Sequence, residues 1–187
     1  MPGITRKARV GATHISISPI GTTYTPAGEG ATPQTVSESA IPTDAGAWTY
    51  LGIVSECKQK KASKKEELYG ALPGTGSTAL SDVIEYNKEH TITAKLGQLG
   101  PEIVGIVNNA GILKETDATL TPESTNTPHC WVKVEQYGHD NVRIQELKFL
   151  AFIDIDGDVN MSGGLSSGEI TIRRLMNAQN TGALGAA

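Results

Sequence analysis

Residues 82–96 alternate in hydropathy over a greater length than any other stretch of the chain. Ile84, Tyr86, Ile92, Ala94 and Leu96 share one parity, which only Lys88 and His90 interrupt. Val83, Glu85, Asn87, Glu89, Thr91, Thr93 and Lys95 make up the other. A repeat of two predicts a strand with one buried face and one wet face. Ile84, Tyr86, Ile92 and Leu96 are therefore the expected core side, and Glu85, Asn87, Glu89, Thr91 and Thr93 the expected aqueous side. At about 3.3 Å per residue the strand would run on the order of 50 Å, well past the usual length of about five or six residues. A domain of 187 residues cannot bury it throughout. The length thus predicts that part of the strand projects and finds partner strands in another copy of the chain.

A chain of this size can still hold a core, since roughly 70% of the unfolded surface can be buried in a single domain. Hydrophobic residues make up 38% and aromatics 5%, with Gly, Ser and Thr plentiful, which favours many strands joined by turns. A net charge of −4 and a pI near 5.6 argue against a domain built to grip nucleic acid. Passive proximity to DNA stays open. The sequence has no apolar run long enough to span a bilayer, and residues 1–18 lack the apolar centre of a secretory signal. The expectation is a protein made in the cytoplasm with no membrane partner.

Along the chain, Ile15 and Ile17 alternate with His14, Ser16 and Ser18 in a short strand closed by Pro19. Residues 21–46 are rich in Thr, Pro, Gly and Ser and predict an extended arm or long loop that becomes ordered against a neighbouring copy. Residues 48–57 predict one buried strand, apolar on both faces, with Gly52 as a bulge. Lys58, Lys60, Lys61, Lys64 and Lys65 follow, five lysines in eight residues. A charge run of this kind predicts a solvated loop, and no interleaved aromatic or Arg supports a phosphate-binding patch. Gly100-Pro101-Glu102 predicts the start of a short helix over 101–109. Residues 131–137 and the stretch from Val142 predict a hairpin around Gly138-His139-Asp140-Asn141, with a phase change near Gln145 and Glu146 that predicts a bulge. Ile170 and Ile172 mark a last strand, and residues 177–187 read as a small-residue tail with little to pack.

Chemistry-bearing motifs are weak throughout. Cys57 and Cys130 are too few for a disulfide framework and read as reduced thiols in or beside strands, with a single bridge left open. His129 beside Cys130 has no second pair at ligand spacing, so no metal site is predicted. Val107-Asn108-Asn109-Ala110-Gly111 matches a short-chain dehydrogenase motif, but the Gly-rich turn is missing and Tyr137 is followed by Asn141 where that chemistry needs Lys. Asp154-Ile155-Asp156-Gly157-Asp158 has carboxylates at calcium-loop spacing, yet Val159 and Leu165 stand where Gly and Glu are required. Gly74-Thr75-Gly76-Ser77-Thr78 lacks the lysine of a phosphate loop, and Asn160-Met161-Ser162 has no secretory context. Neither an enzyme nor a cofactor is expected.

The order of elements resembles that of the tail tube (major tail) proteins of long-tailed bacteriophages. Its carriers are Trp48-Thr49-Tyr50-Leu51-Gly52, a charged loop, the long alternating strand, the 101–109 helix and Trp131 at the start of a late hairpin. The resemblance implies a mainly β domain over 1–176, a β-sandwich or half-barrel with one short flanking helix and a long projecting strand or hairpin. It also implies hexameric rings stacked into a virion tube through which DNA and a tape-measure protein pass, with a tail-terminator protein as a further partner. Glu85, Asn87, Glu89, Thr91 and Thr93 then become lumen candidates, and Lys58, Lys60, Lys61, Lys64 and Lys65 inter-subunit candidates. A DNA conduit should be wet without being adhesive, and Glu85 and Glu89 against Lys95 suit that. The alternative from another class is a β-sandwich decoration or adhesion module, monomeric or trimeric, with the long strand curled within one subunit.

Overall fold

The computed structural model describes residues 10–28, 30–52, 54–71, 78–97, 129–155 and 168–184. The 101–109 helix, residues 73–76 and most of the acidic turn at 154–158 lie outside these. The described chain is mainly β. Its strands are β1 (Val10–Pro19), β2 (Thr23–Tyr24), β3 (Gln34–Thr35), β4 (Thr49–Tyr50), β5 (Val54–Ala71), β6 (Thr78–Leu96), β7 (His129–Gly138), β8 (Arg143–Ile155), β9 (Gly168–Arg174) and β10 (Thr181–Leu184), with a 3-10 turn at Ala45–Ala47. Eight of them form one antiparallel sheet in the order β4-β1-β7-β8-β9-β6-β5, with β10 also on β8, and β2 pairs with β3 separately.

Alternation fixes the core. Ile15 and Ile17 stand opposite Val134 and Val132, which stand opposite Leu147 and Phe149. Further along the sheet, Ile153 faces Ile172, and Ile172 faces Ile92, while Ile170 faces Ala94. These residues form one apolar cluster reaching from β1 at one end of the strand order to β6 near the other. β1 also lies against β5 from the far end of the strand order, so the main sheet curls on itself. Each fully buried Ile or Phe contributes about 1.5–3 kcal/mol through removal from water.

The segment expected as one strand over residues 48–57 is broken. Gly52 adopts φ +94°, a left-handed conformation that a side chain would strain. Before it, β4 pairs with β1 and the Leu51 N–H donates to the Ile15 carbonyl at 3.0 Å. After it, β5 pairs with β6. The break carries the chain from one end of the sheet to the other.

Residues 21–46, expected as an arm ordered by a neighbour, instead lie on their own sheet. The outer face of β7 and β8 bears Trp131 and Leu150, and Val36, Tyr24, Ile41 and Trp48 cover them in a second apolar cluster. The Trp131 indole N–H donates to the Ser37 carbonyl at 2.8 Å. The Trp48 indole N–H donates to the Pro42 carbonyl, and the Lys133 ammonium lies 5.3 Å from the Trp48 ring centre.

The C-terminal stretch, expected to have little to pack, forms β10 along β8. Asn180 anchors it, accepting from the Leu150 N–H and donating to the Leu175 carbonyl, both at 2.9 Å. In the β7–β8 hairpin, Asn141 takes φ 60°. A Cβ at Gly138 would meet the Asp140 carboxylate at 2.5 Å, so a side chain there would push that carboxylate aside. The bulge falls at Ile144, between Gln136↔Gln145 and Tyr137↔Arg143, beside the predicted position. Cys57 and Cys130 are both free thiols. Full burial pushes the Cys130 thiol far above its ordinary pKa.

Candidate functional site

The β5–β6 hairpin is the feature the barrel does not account for. Its strands stay paired from Val54↔Leu96 to Ala71↔Thr78. β9 covers β6 only from Thr91 to Leu96. From Lys61 and His90 outward, the hairpin has no third strand among the described residues, and β5 is the end strand of the order along its whole length. This outer part reaches on the order of 30 Å. An isolated two-stranded ribbon is marginal in water.

The lysine run expected as a loop is therefore strand. Lys has modest strand propensity, but pairing with the alternating β6 overrides it. Strand geometry divides the run: Lys58, Lys60 and Lys64 face one side, Lys61 and Lys65 the other.

The alternation of β6 does not hold along its length. Ala62 pairs with Glu89, but Lys64 pairs with Tyr86, so β6 carries one extra residue between them. A one-residue bulge exchanges the two faces. Ile92 and Leu96 are 2% and 1% exposed, in the core. Ile84, expected beside them, is 47% exposed, because it lies past the bulge and past the end of the barrel. Thr91, Thr93 and Glu89 share the wet outer face with Lys58 and Lys60. Glu85, expected with them, is on the opposite face with Lys61 and Lys65. The side chains of Tyr86 and Asn87 lie outside the described residues.

Charges on the hairpin are segregated. Toward its root, Glu85 meets three lysines, Lys65 at 3.4 Å, Lys88 at 3.6 Å and Lys61 at 3.9 Å. The hydrogen-bonded Lys65 ammonium and the nearby Lys61 and Lys88 hold its carboxyl below the ordinary range. At the base of the hairpin, on the other face, Glu56 lies 2.6 Å from Lys58 and 3.1 Å from Lys95, whose ammonium also lies 3.8 Å from Glu169. Lys58 first, then Lys95, lowers the Glu56 pKa. His90 touches Gln59 through Nε2, packs 6.0 Å from the Phe149 ring and leaves a buried Nδ1 without a partner. Burial first, then the Arg174 guanidinium, lowers its pKa.

Toward its tip, the hairpin is acidic and apolar. Glu66, Glu67 and Asp82 are exposed beside Leu68, Tyr69, Leu80 and Val83, which are 41%, 60%, 52% and 38% exposed. The Tyr69 hydroxyl donates to Glu67 at 2.6 Å. The sequence reading missed this apolar tip. Its signal was Leu68-Tyr69 directly after a charged run, which has no reason to be apolar in a solvated loop.

What this arrangement can do is bind: it offers open backbone edges, an apolar end and charges of both signs. Among the described residues no helix is long and apolar enough to cross a membrane, and no group of His, Cys, Asp or Glu is placed to hold a metal.

No family model matches the chain, and no curated protein matches it. Among solved structures it is similar to a chain from the tail of an empty GTA particle, computed with helical refinement and C6 symmetry. That likeness has a TM-score of 0.35 and 12% identity, covering 76% of this chain and 89% of the other.

Proposed function

We propose that this protein is a structural virion protein that assembles with copies of itself into the stacked hexameric rings of a phage tail tube, a conduit for DNA ejection. The observation that carries the reading is the β5–β6 hairpin, which leaves the barrel at Lys61 and His90 with unpaired edges and an exposed apolar end. Burial of such a ribbon against another copy supplies the third strand and the apolar cover it lacks. The order of elements resembling tail tube proteins supplies the ring and the tube, with tape-measure and tail-terminator proteins as further partners.

The lumen in this reading is the wet outer face carrying Glu89, Thr91 and Thr93. Two of its cations are matched within the face, since Glu56 engages Lys58 and Lys95, and Glu169 engages Lys95. Each cation paired in this way is one fewer to bind phosphate and displace counterions from DNA.

Size measurement and negative-stain electron microscopy of the purified chain test the proposal. Rings or tubes are expected, and a chain with residues 64–85 replaced by a short Gly-Ser turn should stay small. A wild-type chain that remains a monomer or trimer at high concentration favours the decoration or adhesion module instead.

A further inference from the structure

The hairpin's root carries more than charge. Between it and the end of the barrel lies an open groove of about 780 Å³, floored by Leu147, Leu175 and Met176 and rimmed by Lys61, Lys88 and Arg174 together with Glu89. Met176 is 99% exposed and has no cover among the described residues. The rim keeps a net positive charge, because Glu89 stands against three cations, and Lys61 and Lys88 share the carboxylate of Glu85 with Lys65.

We infer that this groove is the seat for the hairpin tip of a second copy, with Leu68, Tyr69 and Leu80 on Leu147, Leu175 and Met176, and Glu66, Glu67 and Asp82 against Lys61, Lys88 and Arg174. The inference rests on the assembly reading above and specifies its contact. Charge complementarity selects the occupant. The tip carries three exposed carboxylates without an ion pair among the described residues, and the groove carries three cations against Glu89 and a Glu85 that is also shared with Lys65. The apolar parts match in the same way, each being exposed where the other needs cover. A tip cannot fill its own groove, because the paired strands hold it on the order of 30 Å from the root. The contact is therefore between copies and head to tail, which closes into a ring or runs on as a filament according to the rotation between neighbours.

A head-to-tail contact has a test that a symmetric one does not. One variant spoils the tip, Leu68→Glu with Leu80→Glu, and another spoils the groove, Lys88→Glu with Met176→Glu. These side chains are exposed, and circular dichroism verifies that both variants keep the wild-type sheet content. Each variant alone should need at least about tenfold higher concentration to assemble, from the loss of apolar cover and charge match. An equimolar mixture should give a capped species of two chains, since the intact tip of the groove variant fits the intact groove of the tip variant. Analytical ultracentrifugation reads the result. Variants that assemble like the wild type, or a mixture that stays single-chain while the wild type assembles, overturn the tip-in-groove contact and leave self-assembly standing. A wild-type chain that never assembles overturns both.

Discussion

Glu85 lies 3.4 Å from Lys65 across the hairpin, whereas Glu89, further along the same strand, stands opposite Ala62 on the other face. One extra residue between them separates two acids that the sequence places together. The consequence is local: Glu85 is the counterion of Lys61, Lys65 and Lys88 together. Glu85→Gln should make the outer hairpin exchange its amide hydrogens faster while the barrel is unchanged. The pH dependence follows from the sign of the shift. A carboxyl lowered in the folded state stabilises above its ordinary pKa, and that stabilisation is lost as pH falls through the lowered value. Protection of the wild-type hairpin, measured against the intrinsic exchange rate at each pH, should therefore fall on acidification, and the step should be absent in the variant. Identical exchange in the two chains would remove the triad's role.

Trp131→Phe takes the indole donor from the Ser37 carbonyl. Leaving that acceptor unpaired under the covering segment should cost about 1–3 kcal/mol in urea unfolding. Thermolysin should then cut at Val36 or Ile41, both covered in the native chain by packing in the Trp131 cluster. A variant with wild-type stability and the same resistance would show that the apolar cover alone holds residues 21–46 in place.

Asn180→Ala removes two hydrogen bonds at once and leaves the Leu150 N–H without its partner. The expected loss is about 1–3 kcal/mol, against no more than about 0.5 kcal/mol for the exposed neighbour Gln179→Ala. Equal midpoints for the two variants would mean that β10 is held by its ladder and not by Asn180.

His90 gives the opposite pH sign to the usual stabilising histidine. Burial and Arg174 lower its folded pKa, while Gln59, Lys61 and Phe149 around it offer no acid to favour the proton. The unfolded chain therefore takes up the proton first. Stability should fall as pH drops below the ordinary histidine value, until the folded imidazole is protonated as well. His90→Gln should flatten that part of the profile in urea titrations across the histidine range. A wild-type profile that already lacks the step would show that the imidazole is solvated.

Sequence pattern resolved those parts of the fold where a single face is buried over an unbroken run. Ile15 and Ile17 in β1, and Ile92, Ala94 and Leu96 at the base of β6, lie where alternation put them. The β7–β8 turn follows from Gly138-His139-Asp140-Asn141. Alternation was silent on the bulge between Ala62 and Lys64, because Lys88 and His90 break the pattern without saying which face gains a residue. It also misjudged the lysine run, since solvation explains charges equally well in a loop and in a two-sided wet ribbon. The cover of residues 21–46 over Trp131 depends on contacts as distant in sequence as Ser37 and Trp131, which local composition does not encode.

The pairing of Ile17 with Val132 also sets an order of events in time. The β5–β6 and β7–β8 hairpins join neighbouring segments, but β7, the long partner of β1, is made much later than β1 and the short β4. At about 5–20 residues per second, synthesis leaves Ile15 and Ile17 without β7 for on the order of ten seconds. Non-local strand pairs are slow to form because the intervening chain must be ordered before the contacts stabilise it. The N-terminal strand should therefore be the last part of the barrel to become protected during refolding, well after both hairpins, and the segment most in need of a chaperone on the ribosome.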